Sequence, residues 1–174
     1  MINTNESEPS VFLVENMALL PKGGRALDVA MGAGRNAIYL AGASYNVNGV
    51  DISQEAITAS LALAQKAGVI INTEVADLES GYRLPQNIYD VVICFDYLHR
   101  PLISQIKGAL KSGGFIVYET FIVDQAEFGR PKNPDHLLKH NELLDIFADF
   151  RCLRYSEGIY PGPKALASIV AQKS

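Results

Sequence analysis

Two rhythms run along this chain. Short apolar runs with few polar interruptions alternate with longer stretches in which apolar residues recur every three or four positions, the marks of buried strands and amphipathic helices. Residues 9–20 carry Val11, Phe12, Val14, Leu19 and Leu20 on one side and predict a capping helix within residues 1–22. Residues 25–30 read as a strand, 35–43 as a helix and 46–51 as a second strand. Ser53 then has the character of an N-cap, with Glu55 in the first turn of an Ala- and Leu-rich helix that runs to Gly68. Residues 69–76 predict a third strand. In residues 89–95, Asp90 precedes five apolar residues in succession, the pattern of a parallel strand covered on both faces. A helix over 98–110 follows, stopped by Gly113-Gly114, and then a strand over 115–121. Residues 137–148 predict a last amphipathic helix. Residues 150–156 and 165–172 are two strands joined by the Gly- and Pro-containing segment 158–163. With no crossover helix between them, they must pair antiparallel or lie apart. The sum is an α/β fold: a doubly wound, Rossmann-like, mostly parallel seven-stranded sheet with a C-terminal antiparallel hairpin.

Composition narrows the setting. At 174 residues the chain suits a single domain over residues 1–174. No apolar run approaches the roughly 18 residues that span a membrane, and the polar, acidic start Met1-Ile-Asn-Thr-Asn-Glu-Ser-Glu-Pro9 has no signal-peptide core. The net charge of −4 and the lack of a basic cluster disfavour nucleic acid as a partner. Cys94 and Cys152 each fall in a predicted core strand without metal-ligand spacing, so no metal is expected and both read as reduced core residues of a cytoplasmic protein.

The chemistry concentrates at Ala26-Leu-Asp-Val-Ala-Met-Gly-Ala-Gly-Arg-Asn36, followed by Asn48-Gly-Val-Asp-Ile-Ser53. Gly32 and Gly34 allow backbone to approach a ligand closely, and Asp51, ending the second strand, is placed to accept both hydroxyls of a ribose. Gly32-x-Gly34-x-x-Ala37 also fits the dinucleotide fingerprint, which would mean NAD or FAD. Asp28 argues against that reading: a carboxylate just before the turn repels a pyrophosphate but suits an ammonium or sulfonium ligand. A nucleoside-binding module without catalysis also fits these residues.

Asp28-x-Ala30-x-Gly32-x-Gly34 resembles the first motif of the seven-stranded (class I) S-adenosylmethionine-dependent methyltransferases, with Ala30 where that family usually has Gly. Tyr97-Leu-His-Arg-Pro101, Tyr118-Glu-Thr-Phe121 and Asn133-Pro-Asp-His-Leu-Leu138 resemble the small bacterial tellurite-resistance-type members. The resemblance implies S-adenosyl-L-methionine as cofactor and a methyl-transfer reaction. Residue by residue, it places Gly32 and Gly34 under the methionine moiety and Asp28 near its ammonium, with Arg35 and Asn36 within reach of its carboxylate. Asp51 falls on the ribose, Ile52 on the adenine face, and Asp77 and Leu78 on the adenine edge. Phe95 falls at the switch-point crevice. Plainer roles stand beside these: a turn cap for Asp77, a solvated helix residue for Arg35, core packing for Phe95.

Methyl transfer from a sulfonium needs alignment more than acid–base equipment, and a base matters only for an acceptor that holds its proton. His99 is the first candidate base, Glu119 the second, and Tyr97 a residue to orient the acceptor. Against these stand a helix-start role for His99 and a pairing of Glu119 with Arg100 or Arg130. Residues 124–136, with Gly129, Pro131 and Pro134, predict a loop placed to lie over the acceptor, Phe128, Arg130 and His136 facing it. The Asn/Asp-Pro-Pro-Tyr motif of amino-directed methyltransferases is replaced by Phe95-Asp-Tyr-Leu98, so the resemblance points to a small molecule with an oxygen, sulfur or metalloid nucleophile.

Overall fold

The computed structural model describes residues 7–174. Its centre is one sheet of seven strands in the order β3-β2-β1-β4-β5-β7-β6. These are β1 (Gly24–Val29), β2 (Tyr45–Asp51), β3 (Asn72–Val75), β4 (Tyr89–Phe95), β5 (Leu110–Phe121), β6 (Phe150–Tyr160) and β7 (Lys164–Lys173). The first five pair in parallel, while β7 runs antiparallel to both β5 and β6. The strand order reverses between β1 and β4, so the ligand crevice of such a fold belongs above their carboxyl ends.

Side-chain alternation along β4 builds the two layers. Val91, Ile93 and Phe95 point into a core completed by Leu13, Ala37, Leu40, Ile57 and Val117. Val92 and Cys94 point to the other, with Leu102, Ile106, Tyr118, Leu143 and Phe147. Burying each such Val, Leu, Ile or Phe side chain contributes about 1.5–3 kcal/mol. The first face therefore carries α1 (Val11–Asn16), α2 (Arg35–Gly42) and α3 (Gln54–Ala67), and the second α4 (Ile103–Ala109) and α6 (Glu142–Ile146), with the one-turn α5 (Gln125–Phe128) in the connection between β5 and α6. Ser53 caps α3 as its sequence predicts, accepting from Ala56 N at 3.1 Å, and Gly68 closes it in the left-handed conformation.

Several elements depart from their predicted extents. The capping helix is one short α-helix followed by a 3₁₀ turn, Met17–Leu19, and residues 1–6 of the predicted 1–22 segment lie outside the described part. Residues 98–110 form a 3₁₀ turn, Arg100–Leu102, before α4, because Pro101 fits only the opening of a helix. The helix expected over 137–148 shrinks to α6. Leu138 is held extended, its N–H donating to Phe121 O and its carbonyl accepting from Val123 N, and Asn141 takes a φ of 63°. Cys94 is buried as expected, but Cys152 is exposed, because β6 is the edge strand.

Candidate active site

The turn after β1 is built from left-handed backbone. Ala30, Gly32 and Gly34 have φ of 55°, 54° and 80°. Ala30 tolerates a conformation that costs a residue with a Cβ roughly 1–2 kcal/mol, and Asp96, after the neighbouring β4, repeats it at 55°. Strained backbone at the carboxyl ends of two adjacent strands is a mark of a functional site. The two glycines do different things. A Cβ on Gly34 would meet Ser60 Cβ at 2.9 Å and Met31 Cε at 3.0 Å, so that glycine lets α2 pack on α3. A Cβ on Gly32 would meet nothing within 4 Å. The space above Gly32 is open.

Carboxylates surround that opening. Asp51 Oδ2 accepts from Gly32 N at 2.8 Å and Oδ1 from Ser53 N at 2.9 Å, fixing the turn while leaving lone pairs on both oxygens. Ile52 beside it is 65% exposed, an apolar face without a protein partner, and Leu78 lies buried after β3. Asp77 is exposed and caps its own turn, accepting from Glu79 N at 2.9 Å. Asp28 is buried beneath the turn and has no ion-pair partner among the described residues. Burial pushes its carboxyl up to about 8. These features fit a ligand with an adenosine and a cationic end: room over Gly32, acceptors for ribose hydroxyls, and a buried acid in want of a cation.

Arg35 and Asn36, at the start of α2, are already engaged. Arg35 pairs with Asp96 at 3.2 Å and donates to Glu8 O, while Asn36 Oδ1 accepts from Ser10 N at 2.8 Å. Together they tie the N-terminal segment down across the sheet. Phe95 is packed in the core at 7% exposure, the plainer of its two roles.

A cavity of about 900 Å³ opens beside this turn, with Arg35, Asp96 and Glu119 on its floor. Its walls are the N-terminal segment, from Glu8 to Asn16, and the β6–β7 hairpin. Glu119 pairs with neither Arg100 nor Arg130. Its Oε1 accepts from Ser10 Oγ at 3.1 Å and its Oε2 from Ser168 Oγ at 2.6 Å. Burial raises its carboxyl above the usual range, against the lowering effect of the two serines.

The expected lid does not cover this cavity. Phe128, Arg130 and His136 do not line it, because residues 124–136 are drawn away from it. Arg100 binds both carboxylate oxygens of Glu142, at 2.6 and 2.9 Å, and donates to the carbonyls of Asp135 and Leu137. His99 and Tyr97 also lie elsewhere. His99 lines a recess of about 180 Å³ with Leu78 and Tyr82, its Nδ1 3.9 Å from Glu79 Oε1, and Tyr97 donates to that same oxygen at 3.1 Å. The hairpin and the N-terminal segment, which do wall the cavity, escaped the sequence reading. A hint lay in the polar residues Arg154, Ser156 and Ser168 on strands otherwise apolar toward the core.

Comparison with known proteins decides the family. Residues 26–114, half of the chain and the part that holds the glycine turn, Asp51 and Asp77, match the family described as methyltransferase domain. This chain belongs to the methyltransferase-domain family. The ubiquinone biosynthesis O-methyltransferase of Burkholderia ambifaria is 31% identical over 103 residues, covering 56% of this chain and 44% of that protein. The chain thus spans less than half the length of that relative. Among solved structures, TehB from Haemophilus influenzae superposes with a TM-score of 0.76 at 21% identity, over 94% of this chain and 61% of that one. The [4+2]-cyclase SpnF gives 0.74 at 18%, over 94% and 79%. At these identities the structures establish the fold, a class I methyltransferase sheet, and SpnF shows one such fold carrying another reaction.

Proposed function

We propose that this methyltransferase domain binds S-adenosylmethionine across the carboxyl ends of β3, β2 and β1 and moves its methyl group to a small molecule in the cavity over β5, β7 and β6. The observation that carries the proposal is the position of the cavity: it reaches Arg35, the residue after the glycine turn, and Asp96, just past β4, so both proposed ligand sites share one edge of the sheet. Along that edge Asp77 and Leu78 serve the adenine, Ile52 its face, Asp51 the ribose, and Asp28, Gly32, Gly34 and Arg35 the methionine end. Bound there, the cofactor supplies an electrophilic methyl group on a leaving sulfur that becomes neutral. The protein's own task is to hold the acceptor in line, which contributes on the order of 7–11 kcal/mol. Where the acceptor carries a proton, Glu119 on the cavity floor is the base, and burial raises its affinity for that proton above the usual carboxylate range. His99, in the smaller recess, and Tyr97, bonded to Glu79, rank behind it. The acceptor's nucleophile is oxygen, sulfur or a metalloid. A cytoplasmic setting, a single domain and a small molecule rather than nucleic acid as partner belong to the same proposal; the net charge of −4 supports the last. Among the described residues no helix is long and apolar enough to cross a membrane.

A second reading, a nucleoside-binding module without turnover, draws on Ala30, whose methyl group stands where the family usually has none. Release of S-adenosylhomocysteine over a panel of thiols, phenols, carboxylates and metalloid oxyanions separates the two. Wild type should turn over at least one class, with Glu119→Gln slower by about 10²–10⁴-fold and unchanged in cofactor affinity. Binding without turnover on any acceptor favours the module.

A further inference from the structure

The strand register shows how the cavity floor is laid out. Glu119 on β5 stands opposite Ser168 on β7, and Ser168 opposite Ser156 on β6, so the three form one row across the sheet. Two residues along β6 on the same face is Arg154, and toward the hairpin end Tyr160 stands opposite Lys164. The neighbouring row on that face is apolar where Val117 stands opposite Val170 under Leu13, and turns polar at its β6 member, Arg154, which pairs with Val170. A sheet face covered by an N-terminal helix has no folding reason to turn polar there, and its polar part coincides with the cavity. Among the described residues neither Arg154 nor Lys164 has an ion-pair partner, whereas Arg35, the other cavity cation, is matched to Asp96. Glu8 and Glu15 stand on the opposite, N-terminal wall. The cavity is therefore polarised, positive along the hairpin and negative along the N-terminal segment, with a proton-accepting carboxylate on its floor.

From this layout, and resting on the proposed function, we infer that the acceptor is a small carboxylic acid with a second, proton-bearing group, a hydroxyl or thiol. Arg154, two residues from the Glu119 row, holds its carboxylate, Lys164 adds positive charge from farther along the hairpin, level with Tyr160, and the acidic wall turns that carboxylate toward the hairpin. The hydroxyl or thiol then lies toward Glu119. In the step itself the acceptor's oxygen or sulfur forms a bond to the methyl carbon. The methyl–sulfonium bond breaks with its electron pair left on the donor sulfur, and the acceptor's proton passes to Glu119, which later yields it to water. The products are a methyl ether or thioether of the acid and a neutral thioether donor. Hydrogen bonds from Ser10 and Ser168 fix the orientation of the Glu119 carboxylate.

The test uses the S-adenosylhomocysteine-loaded protein and two probe pairs, 3-hydroxybenzoate and 3-mercaptopropanoate, each against its primary amide, by calorimetric titration. Each acid should bind at least tenfold more tightly than its amide, and the double substitution Arg154→Gln, Lys164→Gln should abolish that preference while leaving S-adenosylhomocysteine affinity unchanged. Equal binding of acid and amide, binding of neither, or a preference that survives the double substitution overturns the inference. Failure of the underlying proposal looks different: S-adenosylhomocysteine itself does not bind, whatever the acids do.

Discussion

Two glycines sit two residues apart in the same turn, and the structure assigns them opposite consequences when each becomes alanine. Both have left-handed backbone, at φ of 54° for Gly32 and 80° for Gly34. A Cβ in that region costs about 1–2 kcal/mol, partly offset by about 0.4–1 kcal/mol from a less flexible unfolded chain. For Gly32→Ala nothing further is added, since its Cβ meets no atom within 4 Å. The net loss is about 1 kcal/mol, or about 2–4 °C in Tm for a domain of this size. For Gly34→Ala the new methyl lies 2.9 Å from Ser60 Cβ, fully buried on α3, and 3.0 Å from Met31 Cε. The methionine end can swing aside but the serine backbone cannot, and overpacking of this kind adds about 1–3 kcal/mol. Gly34→Ala should therefore lower Tm by about 4–16 °C. Ligand affinity should separate the pair the other way. The Gly32 methyl enters the open space proposed to take the cofactor, so Gly32→Ala should weaken S-adenosylhomocysteine at least tenfold, about 1.4 kcal/mol or more. Gly34→Ala, measured well below its Tm, should lose less. Scanning fluorimetry and calorimetric titration read the two quantities. Normal binding by Gly32→Ala together with a large loss of its Tm would refute the reasoning, because the open space would then serve packing.

Asp51→Asn keeps one acceptor for the turn but gives up a charge, and hydrogen bonds to charged groups contribute roughly 1.5–3 kcal/mol each. Calorimetry should show S-adenosylhomocysteine weakened by at least tenfold with the circular dichroism spectrum unchanged. Asp28 predicts a pH dependence. Its carboxyl is raised by burial from 3.8 to about 8, so the folded chain keeps this proton to higher pH than the unfolded chain. Stability from this group is complete below about 3.8 and is lost as pH rises to about 8. Thermal unfolding of Asp28→Asn should fall less steeply over that window than wild type, and equal slopes would remove Asp28 as its cause.

What the sequence revealed and what it concealed divide along physical lines. Local signals carried the first half of the sheet. The Ser53 cap, the Gly68 stop and the apolar run of β4 each depend on a few neighbouring residues, and each appears in the structure where its residues place it. Long-range competition defeated the same signals elsewhere. Residues 137–148 have helical periodicity, but pairing of Leu138 with the backbone of Phe121 and Val123 wins its first turns. The pattern of β6 looked like core at Cys152 because an edge position cannot be told from a central one by alternation alone. The glycine turn and its anchor on Asp51 were legible because their residues lie within two short motifs. The cavity was not, since Ser10, Glu119, Arg154 and Ser168 meet only through the sheet register and the tie from Ser10 to Asn36.

The most direct test of the central claim is a side-by-side calorimetric titration of the wild-type protein with S-adenosylmethionine, S-adenosylhomocysteine and NAD. A ligand at a hundredfold excess over its Kd also stabilises the fold by about 2.7 kcal/mol, so melting curves give an independent reading. The first two should bind one per chain and raise Tm, and NAD should do neither. Saturable binding of NAD with no response to S-adenosylhomocysteine would contradict the assignment of Asp28, Gly32 and Asp51 to a sulfonium nucleoside.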